Sequence, residues 1–215
     1  MFVLSNLATS VDGKIATRSR VHFPLGTPED RRMMQQIRKK SDAIVMGASS
    51  LRAFKGPLLI KGARRQPINA IVSSRLDGVS PDWKFFREKS IRRVLFVSTR
   101  APKARLRQFA ETCEIRVLKP GAVAPQILRE LARMGATRLL VEGGGALMWD
   151  FVSLNLIDEY YVTLTPRLLG GTEAPTLVDG PGLAPSAVVN LKLARCRRVG
   201  DELYLVYRKT AHRGP

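Results

Sequence analysis

The segment Leu139-Leu140-Val141-Glu142-Gly143-Gly144-Gly145-Ala146-Leu147 carries the clearest chemical signature in the chain. An apolar run of strand type meets consecutive glycines, and helical spacing resumes over Ala146–Ser153. Glycine lets a backbone pass close to a ligand and adopt positive φ. A helix start then presents N–H groups without intrahelical partners and the positive end of the dipole. Together these features make a cradle for pyrophosphate, although glycines between a strand and a helix also serve packing alone. The spacing is neither GxGxxG nor a P-loop. Glu142 falls at the carboxyl end of the strand, where open α/β sheets bind ligands. A carboxylate there could hold substrate hydroxyl or amino groups, or cap the helix.

Three further segments carry polar groups beside strand ends. Ala43–Met46 runs into Gly47-Ala48-Ser49-Ser50, whose hydroxyls could cap a helix or meet phosphate. Ser73-Ser74-Arg75 follows another strand and could receive a 2′-phosphate. Thr9–Thr17 contains Asp12-Gly13-Lys14. Taken alone, Asp-Gly reads as a turn; in an active site Asp12 could exchange a proton and Lys14 attract an anion.

Composition narrows the classes. The 215 residues suffice for a sizeable core, and 45% hydrophobic with 25% charged residues is ordinary for a globular protein. No stretch approaches the roughly 20 apolar residues of a membrane span. Met1–Ser10 lacks a basic leader, so we expect a first strand, no signal peptide and a cytoplasmic protein. The two cysteines, Cys113 and Cys196, and the two histidines, His22 and His212, form no metal-ligand spacing, so no metal is expected. Lys and Arg exceed Asp and Glu by enough to leave +18. That field attracts anions such as phosphorylated small molecules. The basic residues are scattered and no nucleic-acid-recognition motif accompanies them, so neither nucleic acid nor membrane is an expected partner.

The elements that must position these groups alternate. Strands are expected at Phe2–Leu7, Ala43–Met46, Ile68–Val72, Arg93–Ser98, Glu114–Leu118, Arg138–Val141 and Tyr160–Leu164. Helices are expected from Thr27 to about Lys40, from Ser49, over Pro102–Thr112, Pro125–Met134 and Ala146–Ser153. Thr27-Pro28-Glu29-Asp30 reads as a helix start, its acids favouring the positive dipole end. Leu191–Val199 and Glu202–Arg208 read as a closing hairpin turned at Gly200-Asp201. The expected class is α/β, with a mostly parallel central sheet and a C-terminal antiparallel hairpin. We expect one domain over 1–215, with 210–215 as a loose tail.

In this order, Thr9–Ala16, Arg38–Gly47, Val141–Gly145, Ile157-Asp158-Glu159 and Pro166–Gly171 resemble the reductase family of riboflavin biosynthesis. That family forms the reductase half of bacterial deaminase–reductases and stands alone in archaea. Glu173–Gly180 is similar to the archaeal single-domain members. The resemblance implies a dihydrofolate-reductase-like three-layer fold, a homodimer, and NADPH as hydride donor. The implied substrate is a ribosylaminopyrimidine 5′-phosphate, reduced at the ribosyl C1 to the ribityl product. It places Ala8, Pro24, Gly47, Ser50 and Ser74 at cofactor contacts, and Gly143, Gly144, Gly145, Ala146 and Leu147 in the pyrophosphate loop. His22, Arg38, Lys61 and Glu142 fall at substrate positions, with Arg38 and Lys61 on the phosphate. Lys61 stands where arginine is usual, keeping charge but losing bidentate geometry. Asp12 and Glu142 are candidate catalytic residues; Lys14 or a water could also supply the proton. The family usually has Asp-Asp-Pro after the short helix, whereas this chain has Phe54-Lys55-Gly56-Pro57. A same-fold reductase of a pterin or dihydrofolate is therefore the alternative, and a basic nucleic-acid-binding module the distant one.

Overall fold

The computed structural model describes residues 1–210; the expected loose tail falls, from residue 211 on, outside the described residues. The chain divides into two compact units. One comprises Met1 with Gln35–Leu140, the other Phe2–Met34 with Val141–Pro215.

The first unit carries β2 (Ala43–Gly47), β3 (Ile68–Ser73), β4 (Arg93–Ser98), β5 (Glu114–Leu118) and most of β6 (Arg138–Val141), in the order β5-β4-β3-β2-β6. The β2–β3, β3–β4 and β4–β5 pairs are parallel. These strands read as continuous apolar runs, and Ala43–Met46 and Val94–Val97 are almost fully buried, as expected of strands covered on both faces. Asp42 ties two strand starts together: its Oδ2 accepts from Thr137 N at 2.8 Å and from Arg138 N at 2.9 Å. Helix α5 (Val123–Arg133) buries Ala124, Ile127 and Leu131 as one stripe.

Sequence reading missed the short helix α3 (Lys84–Arg87) and overextended the helix after it. The α4 helix spans only Lys103–Arg107, and tight turns carry the chain on to Thr112. The reason is aromatic packing: Phe109 is fully buried against Phe86, ring centroids 4.9 Å apart, and Phe86 packs on Phe85. That contact, rather than helical continuity, fixes the path of the chain.

The second unit carries β1 (Phe2–Thr9), β7 (Glu159–Leu164), β8 (Leu191–Val199) and β9 (Glu202–Lys209), in the order β1-β7-β9-β8. β1 and β7 are parallel, and the last two pairings are antiparallel with a register irregularity at Leu193/Arg195. The expected class is thus found, a mostly parallel sheet arrangement closed by antiparallel strands. Helix α1 (Pro28–Arg38) starts in this unit, and α6 (Gly145–Val152) buries Leu147, Met148, Phe151 and Val152. Among the described residues no helix is long and apolar enough to cross a membrane. No group of three or more His, Cys, Asp or Glu among them is placed to hold a metal.

Candidate active site

In the second unit the glycine segment has the geometry its composition implies. β6 ends at Val141, Glu142 and Gly143 follow, and α6 begins after Gly144. Gly143 has φ +81°, and a Cβ there would lie 2.8 Å from Leu7 Cδ2. Gly145 is equally constrained: a Cβ would meet the Asp179 carboxylate and lie 2.6 Å from the Thr176 carbonyl. The Gly143–Gly144 peptide is cis. No side chain caps α6 at Gly144, so its first-turn N–H groups are left to an anion or water. Ala146 is exposed beside them, and Leu147 is buried in the core. This uncapped, glycine-lined helix start fits a pyrophosphate.

Opposing this turn in sequence, β1 delivers half-buried Ala8 and then Thr9 to a tight turn closed by Ser10 N to Lys14 O at 2.9 Å. Asp12 there is a clamp. Its Oδ1 accepts from Ser10 Oγ at 2.6 Å and Leu169 N at 3.1 Å, and its Oδ2 accepts from Gly170 N at 2.7 Å. The Ser10 hydroxyl first, then the two amides, hold its carboxyl down to about 2. Val11 N donates to Arg167 O at 2.8 Å. His22 and Pro24 are exposed and flank Phe23, whose ring carries the Arg167 guanidinium 4.9 Å from its centroid.

Glu142 lies within electrostatic reach of a half-buried acid, Asp30, whose sequence context suggests only a dipole partner. Asp30 is pushed up, first by burial and then by the Glu202 and Glu142 carboxylates, while the Thr163 hydroxyl pulls it down. Gly26 passes so close that a Cβ would lie 2.6 Å from Asp30 Cβ. Glu202 accepts from Thr27 N at 2.9 Å, Thr27 Oγ at 2.6 Å, and the Tyr204 hydroxyl. Thr27 therefore spends its side chain on Glu202 rather than on capping α1. The neighbouring Glu29, by contrast, sits outside and pairs with Arg32 at 2.6 Å and Arg197 at 2.9 Å.

In the first unit, Arg38 and Lys61 meet through one loop. Arg38 is only 4% exposed and donates from Nη1 to Leu59 O at 3.1 Å. Gln35 donates to the same carbonyl at 3.0 Å and accepts from Lys61 N at 2.8 Å. The loop is fixed from beneath by Asn69, whose Oδ1 accepts from Leu58 N at 2.7 Å, and by Gln66, which accepts from Ile60 N at 2.8 Å. Two helix residues on one face thus hold the loop that carries the exposed Lys61 side chain.

Also in this unit, β2 ends at half-buried Gly47, and α2 (Ala48–Phe54) begins at once with Ser49 and Ser50 in its first turn. Ser49 accepts from Arg52 at 3.1 Å and caps nothing. Ser74 is exposed at the end of β3, and its carbonyl accepts from Ser98 Oγ at 2.8 Å. The residues in place of the family's acids have local work: Lys55 closes α2 in the left-handed region at φ +57°, and its ammonium lies 5.7 Å from the centre of the Trp83 ring.

Residues 1–205 match the model of the RibD C-terminal domain. The chain belongs to that family. Among its relatives, the 2,5-diamino-6-ribosylamino-4(3H)-pyrimidinone 5′-phosphate reductase of Archaeoglobus fulgidus is 32% identical, the match covering 93% of this chain and 94% of that one. The protein of the same name from Methanothermobacter thermautotrophicus is 31% identical over 96% and 97%. Among solved structures, a pyrimidine reductase-like protein from Corynebacterium diphtheriae superposes with a TM-score of 0.81 at 21% identity, covering 98% and 92% of the two chains. A dihydrofolate reductase from Enterococcus faecalis gives a TM-score of 0.54 at 12% identity over 98% and 97%. The fold of this RibD C-terminal domain is therefore shared with both, in keeping with the dihydrofolate-reductase-like class.

Pro166–Gly171 and Glu173–Gly180 carry the family resemblance in sequence without a role in the site; the structure shows what Thr176–Gly180 and Arg167 touch. Asp179 N donates to Gly145 O at 3.0 Å, and Asp179 Oδ1 accepts from Thr176 N at 2.8 Å and Thr176 Oγ at 2.7 Å. A Cβ on Gly180 would collide with the Trp149 ring. In sequence, the glycine pair after Leu169 and the Asp179-Gly180 dipeptide were the only signals of this packing.

Proposed function

We propose that this chain is an NADPH-dependent reductase of riboflavin biosynthesis. It transfers hydride to the ribosyl C1 of a ribosylaminopyrimidine 5′-phosphate and yields the ribityl product. The observation that carries the reading is the uncapped, glycine-rich start of α6 in a chain of this family. The names of the archaeal relatives support the substrate class.

Bound NADPH would supply the hydride. The chain's own contribution is placement, the largest lever where little covalent chemistry falls to the protein. In this reading the first-turn N–H groups of α6, with Gly143 to Leu147, hold the pyrophosphate. Ala8 and Pro24 border the nicotinamide side, and in the first unit Gly47, Ser50 and Ser74 keep the cofactor roles that the family resemblance gives them. Arg38 and Lys61 bind the substrate phosphate, the first rigidly through its shared carbonyl and the second as a mobile point charge. His22 and Glu142 contact the substrate polar groups. Asp12, held ionised by three donors, positions the Ser10–Lys14 turn rather than delivering a proton. Glu142 with water remains the proton route of this proposal. We further propose one reductase domain over 1–215 that pairs as a homodimer, because β8 is exposed along almost its whole length and Leu191 and Leu193 face solvent.

The test is NADPH oxidation, followed by absorbance, with the deaminated and non-deaminated pyrimidine phosphates and with dihydrofolate. Turnover of either pyrimidine supports the reading. Turnover of dihydrofolate alone overturns it and makes Phe54-Lys55 the mark of a changed substrate. Arg38→Ala is expected to raise the substrate KM about tenfold or more, the scale of a lost charge-assisted contact. An unchanged KM removes Arg38 from the phosphate site.

A further inference from the structure

Two turns of the second unit bear on ligand in the reading above, the Ser10–Lys14 turn and the glycine segment before α6. One stretch of chain touches both. At its first end Arg167 O accepts from Val11 N at 2.8 Å, and the amides of Leu169 and Gly170 donate to Asp12. In its middle Thr176 bridges Lys14, Ile15 N donates to Pro175 O at 2.9 Å, and Lys14 Nζ donates to Ala174 O at 3.2 Å. At its far end Asp179 N donates to Gly145 O at 3.0 Å. Gly145 and Gly180 are both places where a side chain would collide, with Asp179 and Thr176 O in one case and Trp149 in the other. Close approach on both sides of Asp179 fixes its distance from the first turn of α6.

From these contacts we infer that 167–180 is a strap that sets the glycine segment in register with the Asp12 turn, and that Asp179 is its positioning residue for the cofactor pyrophosphate. This rests on the proposed NADPH site. Asp179 acts through shape and acceptor geometry: Oδ1 takes the Thr176 amide and hydroxyl, which bends 176–179 into the loop that meets Gly145. Its negative charge near a helix start favours the helix and opposes an anion there, so its value to the site is positional. Asparagine keeps the Oδ1 acceptor and the size, whereas alanine keeps neither.

The experiment is the dissociation constant of NADPH for the full chain, read by the fluorescence of the bound dihydronicotinamide, with circular dichroism confirming the fold of each variant. Asp179→Ala is expected to weaken NADPH about tenfold, a change of about 1.4 kcal/mol, while Asp179→Asn stays near wild type. Asp12→Ala should weaken it too, and the double Asp12→Ala/Asp179→Ala should fall short of the product of the single effects, because either change releases the same strap. Should Asp179→Ala not fold, Thr176→Val removes one of the two donors and is expected to cost about threefold. Wild-type affinity in Asp179→Ala overturns the inference, as do equal losses in alanine and asparagine variants or single effects that multiply fully. A wild-type chain that binds no NADPH instead overturns the cofactor reading itself, a separate outcome.

Discussion

Asp12 and Asp30 both stand at the opening of a turn in the same unit, and their surroundings treat them in opposite ways. Asp12 lies at the surface, collects three donors, and is held down to about 2. Asp30 is half-buried; burial first, then the Glu202 and Glu142 carboxylates, raise its titration, and the Thr163 hydroxyl pulls it part of the way back. The first acid does its work as a charge that organises backbone. The second is a stability cost unless it carries a proton. A carboxylate's value as a proton carrier is thus set by how many amides point at it, more than by its nearness to a ligand-bearing loop.

Removing Asp12 should give the largest effect. Asp12→Ala is expected to lower kcat/KM by an order of a hundredfold, the cost of a misplaced reacting geometry, measured in steady-state NADPH oxidation. Activity close to wild type would erase the distinction, since a clamp that can be dispensed with organises nothing. Asp30→Asn should act on stability and in the opposite direction. An acid whose folded value is raised contributes fully below its ordinary 3.8 and loses that contribution as pH climbs through the raised value. At neutral pH the asparagine variant escapes that loss. A gain of about 1 kcal/mol is expected, or roughly 2–4 °C in Tm for a chain of this size, and a fall in Tm would mean that ionised Asp30 is stabilising.

The smallest effect lies on the acid side. Asp12, lowered from 3.8 to about 2, stabilises the fold above 3.8 and gives that up as pH falls towards 2. Urea unfolding of wild type and Asp12→Asn across that window should converge as pH drops. Parallel curves would show that the Asp12 charge is already lost at higher pH.

Much of this architecture is legible in the sequence, because burial leaves periodic marks. Ala43–Met46 and Arg93–Ser98 are apolar runs short enough to be strands, and they are strands. Leu139–Leu147 announces its turn because only glycine tolerates the contacts at Gly143 and Gly145. The failures have a common cause. Asp179 and Gly145 are far apart along the chain, so their approach leaves no local pattern. Asp30 looks like any acid in a first helical turn until Thr163 and Glu202 close around it. The helix over Pro102–Thr112 stops early because Phe109 answers to Phe86, a neighbour only in space. Lys55 in place of an acid gave no hint that it would close a helix and rest against Trp83.

Trp149, finally, is a natural optical gauge. The chain has two tryptophans, and this one packs against Gly180 at the end of the strap. Trp83 belongs to the other unit and sits beside Lys55. With Trp83 replaced by phenylalanine, the indole emission of the remaining ring would report, without any label, whether the segment around Asp179 is seated or lifted. Stopped-flow traces of that emission would then give the rate of the movement directly.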